Sequence, residues 1–296
     1  MYNPESLVDI HARVAVISLT KLIPGDLMNP IVRDDVDLSI QQFSQAWRLM
    51  CAGAPRNNLA ASEGVEYVFS GCAIPFFNIA LLTARGVSAD DLKSRAREAC
   101  AWASDKEVPW LFLLTHEALG ADLDAAALLD ECELAPQMPL TGMLTARVTP
   151  SATAPSDVEL SVPRDDAGCS AILDINAAAY GMDFGAAKDL IGTSSFWANH
   201  FPVIGAVGGT PVATASVLMT DRCRYVGLVA TDPAWQRRGL ADAAMRRALE
   251  LSAAVHGERP TLLHASEAGR PVYERMGYRT VSHHTVFMEK RFLAQH

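Results

Sequence analysis

The most informative part of this sequence for its fold is the stretch Val229-Ala-Thr-Asp-Pro-Ala-Trp-Gln-Arg-Arg-Gly-Leu-Ala241. Its first residues end the apolar segment Arg224–Thr231, which is predicted to be a strand, and Pro233 marks a turn. A long helix is predicted from Gln236 to Val255, because apolar residues recur along it at helical spacing. The stretch therefore joins a strand, a turn and a glycine-containing helix start.

A helix start of this composition suits a pyrophosphate group. The first N–H groups of a helix lack partners within it, and the helix dipole adds partial positive charge there. Gly239 permits a close approach of the backbone to a phosphate, and the small Ala241 leaves room beside it. Arg237 and Arg238 add charge where an anion would lie. An ordinary helix start with solvated arginines has the same composition, so the surrounding sequence must decide.

Two further segments follow downstream in order. Thr261–His264 is predicted to form a strand, and Gly269–Met276 a short helix ended by Gly277. Together with Gln236–Ala241, which has the pattern Gln/Arg-x-x-Gly-x-Gly/Ala, they resemble the GNAT superfamily of N-acetyltransferases. Tyr273–Tyr278 matches that family's Tyr-Glu-(Arg/Lys)-x-Gly-(Phe/Tyr) pattern, and the resemblance extends over about residues 157–290.

The resemblance implies an acetyl-CoA-dependent N-acetyltransferase and assigns individual residues. Backbone groups of the strand would pair the pantetheine arm, the helix start would bind the pyrophosphate, and Ser266 falls near a further cofactor contact. Tyr273 matches the tyrosine that protonates the leaving thiolate, a role that suits a phenol of pKa about 10. A buried ring on an apolar helix face is the other interpretation of Tyr273. The implied cofactor-binding residues are Val229, Ala230, Thr231, Gln236, Arg237, Arg238, Gly239, Leu240, Ala241 and Ser266.

The usual base of the family is missing from this sequence. Many relatives place a glutamate at the strand position that is Gly227 here, and Arg224–Leu228 contains no carboxylate. Another residue or a chain of waters must then accept the proton of the incoming ammonium. The candidates, with none preferred, are His264, Asp221, Glu267, His283 and His284.

The first half of the chain repeats the element order of the second half without its phosphate motif. Residues 76–148 and 224–290 are both predicted to form strand, helix, strand, helix and strand. At the start of the first helix predicted in residues 76–148, Asp90 and Asp91 would repel phosphates. If this half shares the fold, we therefore expect that it has lost CoA binding.

These patterns predict an α/β fold with two GNAT-like domains in tandem, each a mixed, mostly antiparallel sheet flanked by helices. Residues 1–150 form the degenerate domain and residues 151–296 the acetyltransferase domain, joined by the Pro-containing linker Val148–Ser156. In the first domain several polar residues surround predicted strands. They line a substrate pocket, or they are turn residues and satisfied core amides. They are Arg56, Asn57, Asn58 and Asn78.

Charge and composition narrow the class of partner. The chain of 296 residues has 25 basic and 34 acidic residues, of which residues 1–150 hold 11 and 19. Without a basic face, nucleic-acid binding is disfavoured. The acidic surplus of the first half either steers a cationic amine or keeps a scaffold soluble. We expect a small primary amine as acceptor: an amino acid, a polyamine, or an amine-bearing metabolite or antibiotic.

Several alternatives remain open at this stage. A protein amine is a possible acceptor, and a non-catalytic acyl-CoA-binding or sensing protein is the rival function. Tyr67–Ala84 and Ile191–Thr220 carry no charge, but polar and helix-breaking residues within them predict buried strands rather than membrane spans. The scattered cysteines and an N-terminus unlike a signal peptide predict a cytoplasmic protein with no metal site. We expect a monomer or a homodimer.

Overall fold

The computed structural model describes residues 32–120, 123–151, 155–182, 184–193 and 196–293. The strands are β1 (Asn58–Ser62), β2 (Val65–Phe69), β3 (Asn78–Leu82), β4 (Leu111–Thr115), β5 (Leu134–Thr145), β6 (Val158–Ser161), β7 (His200–Val207), β8 (Thr210–Met219), β9 (Arg224–Thr231), β10 (Thr261–Ala265) and β11 (Arg279–Glu289). The helices are α1 (Arg33–Cys51), α2 (Ala89–Ala103), α3 (Ala125–Asp130), α4 (Asp166–Tyr180), α5 (Lys188–Ile191), α6 (Leu240–His256) and α7 (Arg270–Arg275).

The two halves of the chain share one mixed sheet and exchange strands within it. The strand order is β1-β2-β3-β4-β11-β5-β10-β9-β8-β7-β6. Strand β11, at the end of the chain, lies between β4 and β5, while β5 lies between β11 and β10, and these pairs are antiparallel. Strand β3 pairs in parallel with β4, and β9 pairs in parallel with β10. The order β3-α2-β4-α3-β5 thus recurs as β9-α6-β10-α7-β11, and the α/β fold with a mixed sheet is confirmed.

Helices cover both faces of the sheet because strand residues are buried on both sides. Helices α1 and α4 pack on one face in a common apolar cluster that includes Phe43 and Ile172. On the opposite face, α2 and α3 pack against the strands of the first half, and α6 and α7 against those of the second. Helix α1 of the first half therefore lies over β9 and β10 of the second, since its Phe43 contacts the rings of Tyr225 and His264.

Three predicted elements differ from those observed. Helix α6 begins at Leu240 instead of Gln236, because the preceding residues include two in the left-handed region of φ. The sequence predicts a closing strand over Leu140–Val148, but β5 begins at Leu134; strand β1 begins at Asn58, where the predicted loop Pro55–Asn58 ends. Part of the predicted linker, residues 152–154, lies outside the described residues.

The described residues of the two long uncharged stretches include strands β2, β3, β7 and β8 together with turns and short helices. Within the described ranges, no helix combines the length and the apolar composition that crossing a bilayer requires.

Candidate active site

The parallel strands β9 and β10 separate after their first two residues. The register pairs Thr261 with Arg224 and Leu262 with Tyr225. Beyond Tyr225, β9 continues for six residues to Thr231 along its pairing with β8. Backbone N–H and C=O groups on the other edge of β9 are thus released from the β9–β10 ladder, and such groups need partners. The divergence makes a cleft between the two strands that is lined by backbone polar groups.

A β-bulge bends β9 at this cleft. The register with β8 pairs Gly227 with Ser216 and Ala230 with Thr214, so two residues of β9 oppose one residue of β8. Leu228, within the bulge, has φ 52°, which a residue with a side chain seldom adopts. A bulge increases the local twist and bends its strand. It therefore explains why β9 turns away from β10.

Two tyrosines lie at the cleft. The Tyr180 hydroxyl, at the end of α4, donates a 3.1 Å hydrogen bond to the carbonyl oxygen of Val229. Tyr273, on α7, is partly buried against the α6 face of the sheet. Burial raises the pKa of Tyr273 well above its ordinary value, and the neighbouring Tyr180 and Tyr278 raise it further. Tyr273 is therefore protonated at neutral pH and is a proton donor.

The loop before α6 has the conformation that the predicted phosphate site requires. Residues 236–239 are exposed, and Arg237 and Gly239 have φ of 64° and 75°. Gly239 is the N-cap of α6, and no side chain caps the helix there. The first N–H groups of a 17-residue helix therefore face the surface without a side-chain acceptor. Leu240 is buried and anchors the helix start against β8 through Val212 and Ala213.

The other predicted cofactor contacts occupy defined positions. The Arg238 guanidinium forms an ion pair with Asp157 and lies 4.7 Å from the centre of the Trp235 ring. The Ser266 hydroxyl accepts a 3.3 Å hydrogen bond from the backbone N–H of Gly269 and so shapes the turn into α7. Ala230 and Thr231 lie in β9 opposite β8, and Ala241 is partly buried in the first turn of α6. The predicted residues thus lie along β9, at the start of α6 and in the turn that follows β10.

The equivalent region of the first half has a different form. The pairs between β3 and β4 extend to Leu81 and Leu113, close to the ends of both strands. Helix α2 is capped by its own sequence, since Ser88 and Asp91 form a reciprocal capping box. Asn78 is fully buried and bonds to backbone groups on both sides, among them Cys72 and Pro109. The amide at 78 is therefore a satisfied core group.

The remaining polar residues of the first half lie in a turn. The Asn57 amide donates to the carbonyls of Ala52 and Ala54, at 2.7 and 3.0 Å. Arg56 donates to the carbonyl of Gly71 at 2.7 Å, and Asn58 is exposed at the start of β1. These contacts are those of turn residues.

The candidate bases are spread over the molecule. His264, on β10, lies 2.8 Å through Nδ1 from the Tyr225 hydroxyl at the point where the strands diverge. Glu267 is exposed, and Asp221 accepts a 2.7 Å hydrogen bond from Gln42. His283 pairs with Glu117 at 2.8 Å, and His284 is buried. In the part of the chain that the structure describes, no three His, Cys, Asp or Glu side chains are grouped to hold a metal ion.

Residues that the sequence did not single out also belong to this region. The Tyr180 hydroxyl bonds to β9, the buried Tyr225 hydroxyl lies 2.8 Å from His264, and Ser39 of α1 lies 3.0 Å from His264. Tyr225 precedes Gly227 by two residues, so both lie on one face of β9. That spacing is the one sequence signal that points to Tyr225. Nothing in the sequence connects Ser39 with the second half.

Comparisons with known proteins agree with this geometry. The family model described as an acetyltransferase (GNAT) domain matches residues 201–293. A GCN5-related N-acetyltransferase from Kribbella flavida has a similar structure, with a TM-score of 0.63 and 16% identity over 85% of this chain and 95% of that one. None of the curated proteins compared with the chain matches it significantly.

Two further solved structures have this fold at low identity. A GCN5-related N-acetyltransferase from Sphaerobacter thermophilus has a TM-score of 0.56 and 12% identity over 86% of this chain and 92% of that one. A tandem GNAT protein from the clavulanic acid biosynthesis pathway has a TM-score of 0.51 and 11% identity over 85% and 94%. Residues 201–293 therefore match the model of a GNAT acetyltransferase domain, and the chain as a whole has a fold similar to that of a tandem GNAT protein.

Proposed function

We propose that this protein is an acetyl-CoA-dependent N-acetyltransferase that transfers the acetyl group directly to a primary amine. One observation carries the proposal: the cleft between β9 and β10 opens beside an α6 helix start that no side chain caps. Backbone polar groups in a cleft suit an extended amide chain such as pantetheine. Exposed N–H groups at a helix start suit its pyrophosphate. The two features adjoin in the second half of the chain.

The residues at the cleft fit acetyl-CoA. At Gly239, φ of 75° and the absence of Cβ leave the backbone N–H groups accessible, and Arg237 is exposed beside them. Consecutive left-handed and right-handed residues make a concave arrangement of N–H groups that binds anions. The Val229 carbonyl already accepts from Tyr180, but a carbonyl oxygen has two lone pairs and can accept a second hydrogen bond.

Acetyl-CoA bound in this cleft supplies the thioester whose acetyl carbon the amine attacks. Tyr273 is protonated at neutral pH and would donate its proton to the thiolate that leaves. A backbone N–H of β9 beyond Tyr225 would stabilise the negative charge on the carbonyl oxygen. Because Gly227 provides no carboxylate, the proton of the amine needs another acceptor.

The first half of the chain would not bind acetyl-CoA. Its paired β3 and β4 leave no cleft, and its helix start is occupied by Ser88 and Asp91. We assign residues 1–150 as the degenerate domain and residues 151–296 as the acetyltransferase domain, although the sheet is shared. We expect the acceptor to be a small amine and the protein to be cytoplasmic.

The rival function is a protein that binds acyl-CoA without turnover, and Gly227 in place of a carboxylate favours it. A thiol-release assay separates the two functions. Purified protein and acetyl-CoA are incubated with spermidine, lysine, an aminoglycoside or a lysine-containing peptide, and free CoA is measured. Amine-dependent release of CoA, with the acetylated amine found by mass spectrometry, supports the enzyme. Binding of acetyl-CoA without release by any of these amines would support the rival.

A further inference from the structure

A cavity lies at the carboxyl ends of the two parallel strands of the first half. Arg85 and Gly86 follow the end of β3, and Glu117 follows the end of β4. Because β3 and β4 pair in parallel, both segments leave the sheet at the same edge. Ligand sites of open α/β sheets lie outside the carboxyl ends of parallel strands. The cavity thus occupies, in the first half, the position that corresponds to the β9–β10 cleft of the second.

The cavity is open to solvent and large enough for a small molecule. Its walls are formed by Arg33 and Val36 of α1 together with Arg85, Gly86 and Glu117, and its volume is about 390 Å³. Sites for small molecules have volumes of about 300–1,000 Å³. Arg33 and Gly86 are exposed, and a Cβ built on Gly86 would have no neighbour within 4 Å. A ligand can therefore enter from the surface.

Two arginines give the cavity positive charge. Arg33 is the first residue of α1 and is exposed. The Arg85 side chain is 22% exposed, and its Nε lies 3.4 Å from Oδ1 of Asp37. Within the described ranges, Nη1 of Arg85 has no hydrogen-bond partner. Because a partly exposed ion pair at this distance is weak, the guanidinium can turn towards a carboxylate in the cavity and donate to it.

Glu117 gives the same cavity a negative charge. Its carboxylate accepts 3.0 Å hydrogen bonds from the backbone N–H of His283, and Oε1 also lies 2.8 Å from His283 Nδ1. Burial raises the pKa of Glu117, but the hydrogen bonds from His283 outweigh burial, and the pKa is lowered overall. Glu117 is therefore ionised at neutral pH. Its side chain is 21% exposed, and Oε2 has a lone pair left for a further donor.

This combination of charges suits a ligand that carries both signs. A simple anion would be repelled by Glu117, and a simple cation by the two arginines. A free amino acid has a carboxylate and an ammonium, which complement both. Val36 supplies an apolar part of the wall, against which an aliphatic side chain can pack. We propose that the cavity binds a free aliphatic amino acid, with its carboxylate on Arg33 and Arg85 and its ammonium on Glu117.

The amino acid bound here is not the acceptor of an acetyl group. Strands β11 and β5 lie between β4 and β10 in the sheet. Three inter-strand spacings of about 4.8 Å separate the end of β4 from β10 by about 14 Å, whereas reacting atoms must come within about 3.5 Å. An ammonium on Glu117 therefore cannot attack a thioester in the β9–β10 cleft. The first half is an amino-acid-binding unit, a role that does not depend on the proposed acetyltransferase function.

Equilibrium dialysis of the full chain tests the proposal directly. The protein, without acetyl-CoA, is dialysed against radiolabelled L-alanine, L-valine or L-leucine. We expect at least one of the three to be retained, with one molecule per chain. Two analogues of the retained amino acid then compete with it: its amide, which lacks the carboxylate, and the acid that lacks its amino group. Each analogue should require at least about a tenfold higher concentration than the unlabelled amino acid, because each loses a hydrogen bond between charged groups.

Variants locate the site within the chain. Arg33→Gln and Arg85→Gln should each raise the Kd for the retained amino acid at least about tenfold. Arg48→Gln is the matched control, because it also removes a partly exposed arginine of α1, one that lies 3.7 Å from Glu66. It should leave the Kd unchanged. Urea unfolding shows that each variant is folded, and the exposed Arg33 provides the test if Arg85→Gln is not.

Glu117→Gln gives a readout that a purely structural role would not change. Without the carboxylate, the preference for a ligand with an ammonium should disappear. The amino acid and the analogue without an amino group should then compete equally, although the analogue without a carboxylate should still compete poorly. A preference for the ammonium that persists in folded Glu117→Gln would overturn the assignment of Glu117.

The remaining outcomes also decide the proposal. Retention of none of the three amino acids by the folded wild type would overturn it. Binding that is unchanged in folded Arg33→Gln, or that falls equally in Arg48→Gln, would show that the amino acid binds elsewhere and would overturn it as well. Each of these results would leave the acetyltransferase intact. Conversely, failure of thiol release with every amine would overturn the proposed function and leave this site unaffected.

Discussion

Arg238 and Asp157 form an ion pair at the exposed start of α6. The same guanidinium lies over the ring of Trp235, 4.7 Å from its centre. Arg238 belongs to the loop that we assign to the pyrophosphate, so a carboxylate already holds one of the two arginines there. The neighbouring Arg237, with φ of 64°, is exposed. Binding of a pyrophosphate would have to compete with Asp157 for Arg238.

Replacing Asp157 by asparagine should strengthen the binding of acetyl-CoA. An exposed ion pair contributes about 0.5 kcal/mol, so its removal should lower the Kd for acetyl-CoA about two- to threefold. Calorimetric titration measures the effect. Glu250→Gln is the matched control, because it removes the same charge from α6 and breaks the exposed pair with Arg247. Unchanged or weaker binding in Asp157→Asn alone would show that Arg238 does not contact the phosphates.

Gly239→Ala should weaken acetyl-CoA binding much more than it weakens the fold. A Cβ at this position would make ordinary contact with Pro155 at 3.6 Å, so the cost to the fold is that of φ 75°, about 1–2 kcal/mol. The added methyl group would also occupy the path of a phosphate to the backbone. We expect a rise of at least about tenfold in Kd, equivalent to about 1.4 kcal/mol.

Gly208→Ala is the control for this change. Gly208 also has a left-handed φ, of 56°, and nothing lies within 4 Å of a Cβ built there. It should cost similar stability in urea unfolding and leave the Kd unchanged. An equal effect of both variants on Kd would mean that strain, and not loss of a phosphate contact, explains the result.

Tyr273→Phe should reduce kcat about 100-fold while acetyl-CoA binds as before, because the ring remains and the proton donor is lost. The raised pKa of Tyr273 keeps the phenol protonated, so the wild type should not lose this donor between pH 6 and 9. Steady-state thiol release gives kcat, and calorimetry gives the affinity. Full turnover by the phenylalanine variant would show that Tyr273 is not the proton donor.

Two buried histidines should make the folded state less stable in mild acid. Burial lowers the pKa of His200 to about 4 and that of His284 to about 3, whereas an unfolded histidine has a pKa of about 6.5. Below pH 6.5 the unfolded chain therefore binds protons that the folded chain excludes. The free energy of unfolding should fall with decreasing pH by up to about 1.4 kcal/mol per pH unit for each histidine.

Urea unfolding at pH 7, 6 and 5 measures this dependence. His200→Gln removes one of the two titrating groups and should make the dependence less steep. A wild-type stability that stays constant from pH 7 to 5 would contradict the neutral, buried state of these histidines.

Local signals explain why some elements agree with the sequence and others do not. The sequence predicts a helix over Asp166–Tyr180, and α4 has these bounds, since Asp165 caps its start and Gly181, with φ of 62°, ends it. Strand β1 was missed because Asn58–Ser62 has no β-branched or aromatic residue. It forms at the sheet edge through its pairing with β2. Strand β5 includes Pro136 and Pro139, which argue against a central strand, but it is held between β10 and β11.

The parts of the site that depend on long-range contacts were not predictable. The phosphate loop and Tyr273 follow from short motifs with fixed spacing. The surroundings of His264 depend on the exchange of β5 and β11, which brings Gly142 and Ser282 beside it. Ser39 reaches them from a helix 225 residues before His264. Serine and glycine at such separations have no pattern that a sequence could reveal.

The most direct measurement of the central claim is a calorimetric titration of the full chain with acetyl-CoA, read for stoichiometry. The account predicts one site per chain, since only the second of the two described strand–helix–strand units has both a cleft and a helix start that no side chain caps. Gly239→Ala should weaken that site. Two sites per chain would contradict the assignment of a degenerate first half, and no binding to the folded protein would contradict the proposed function itself.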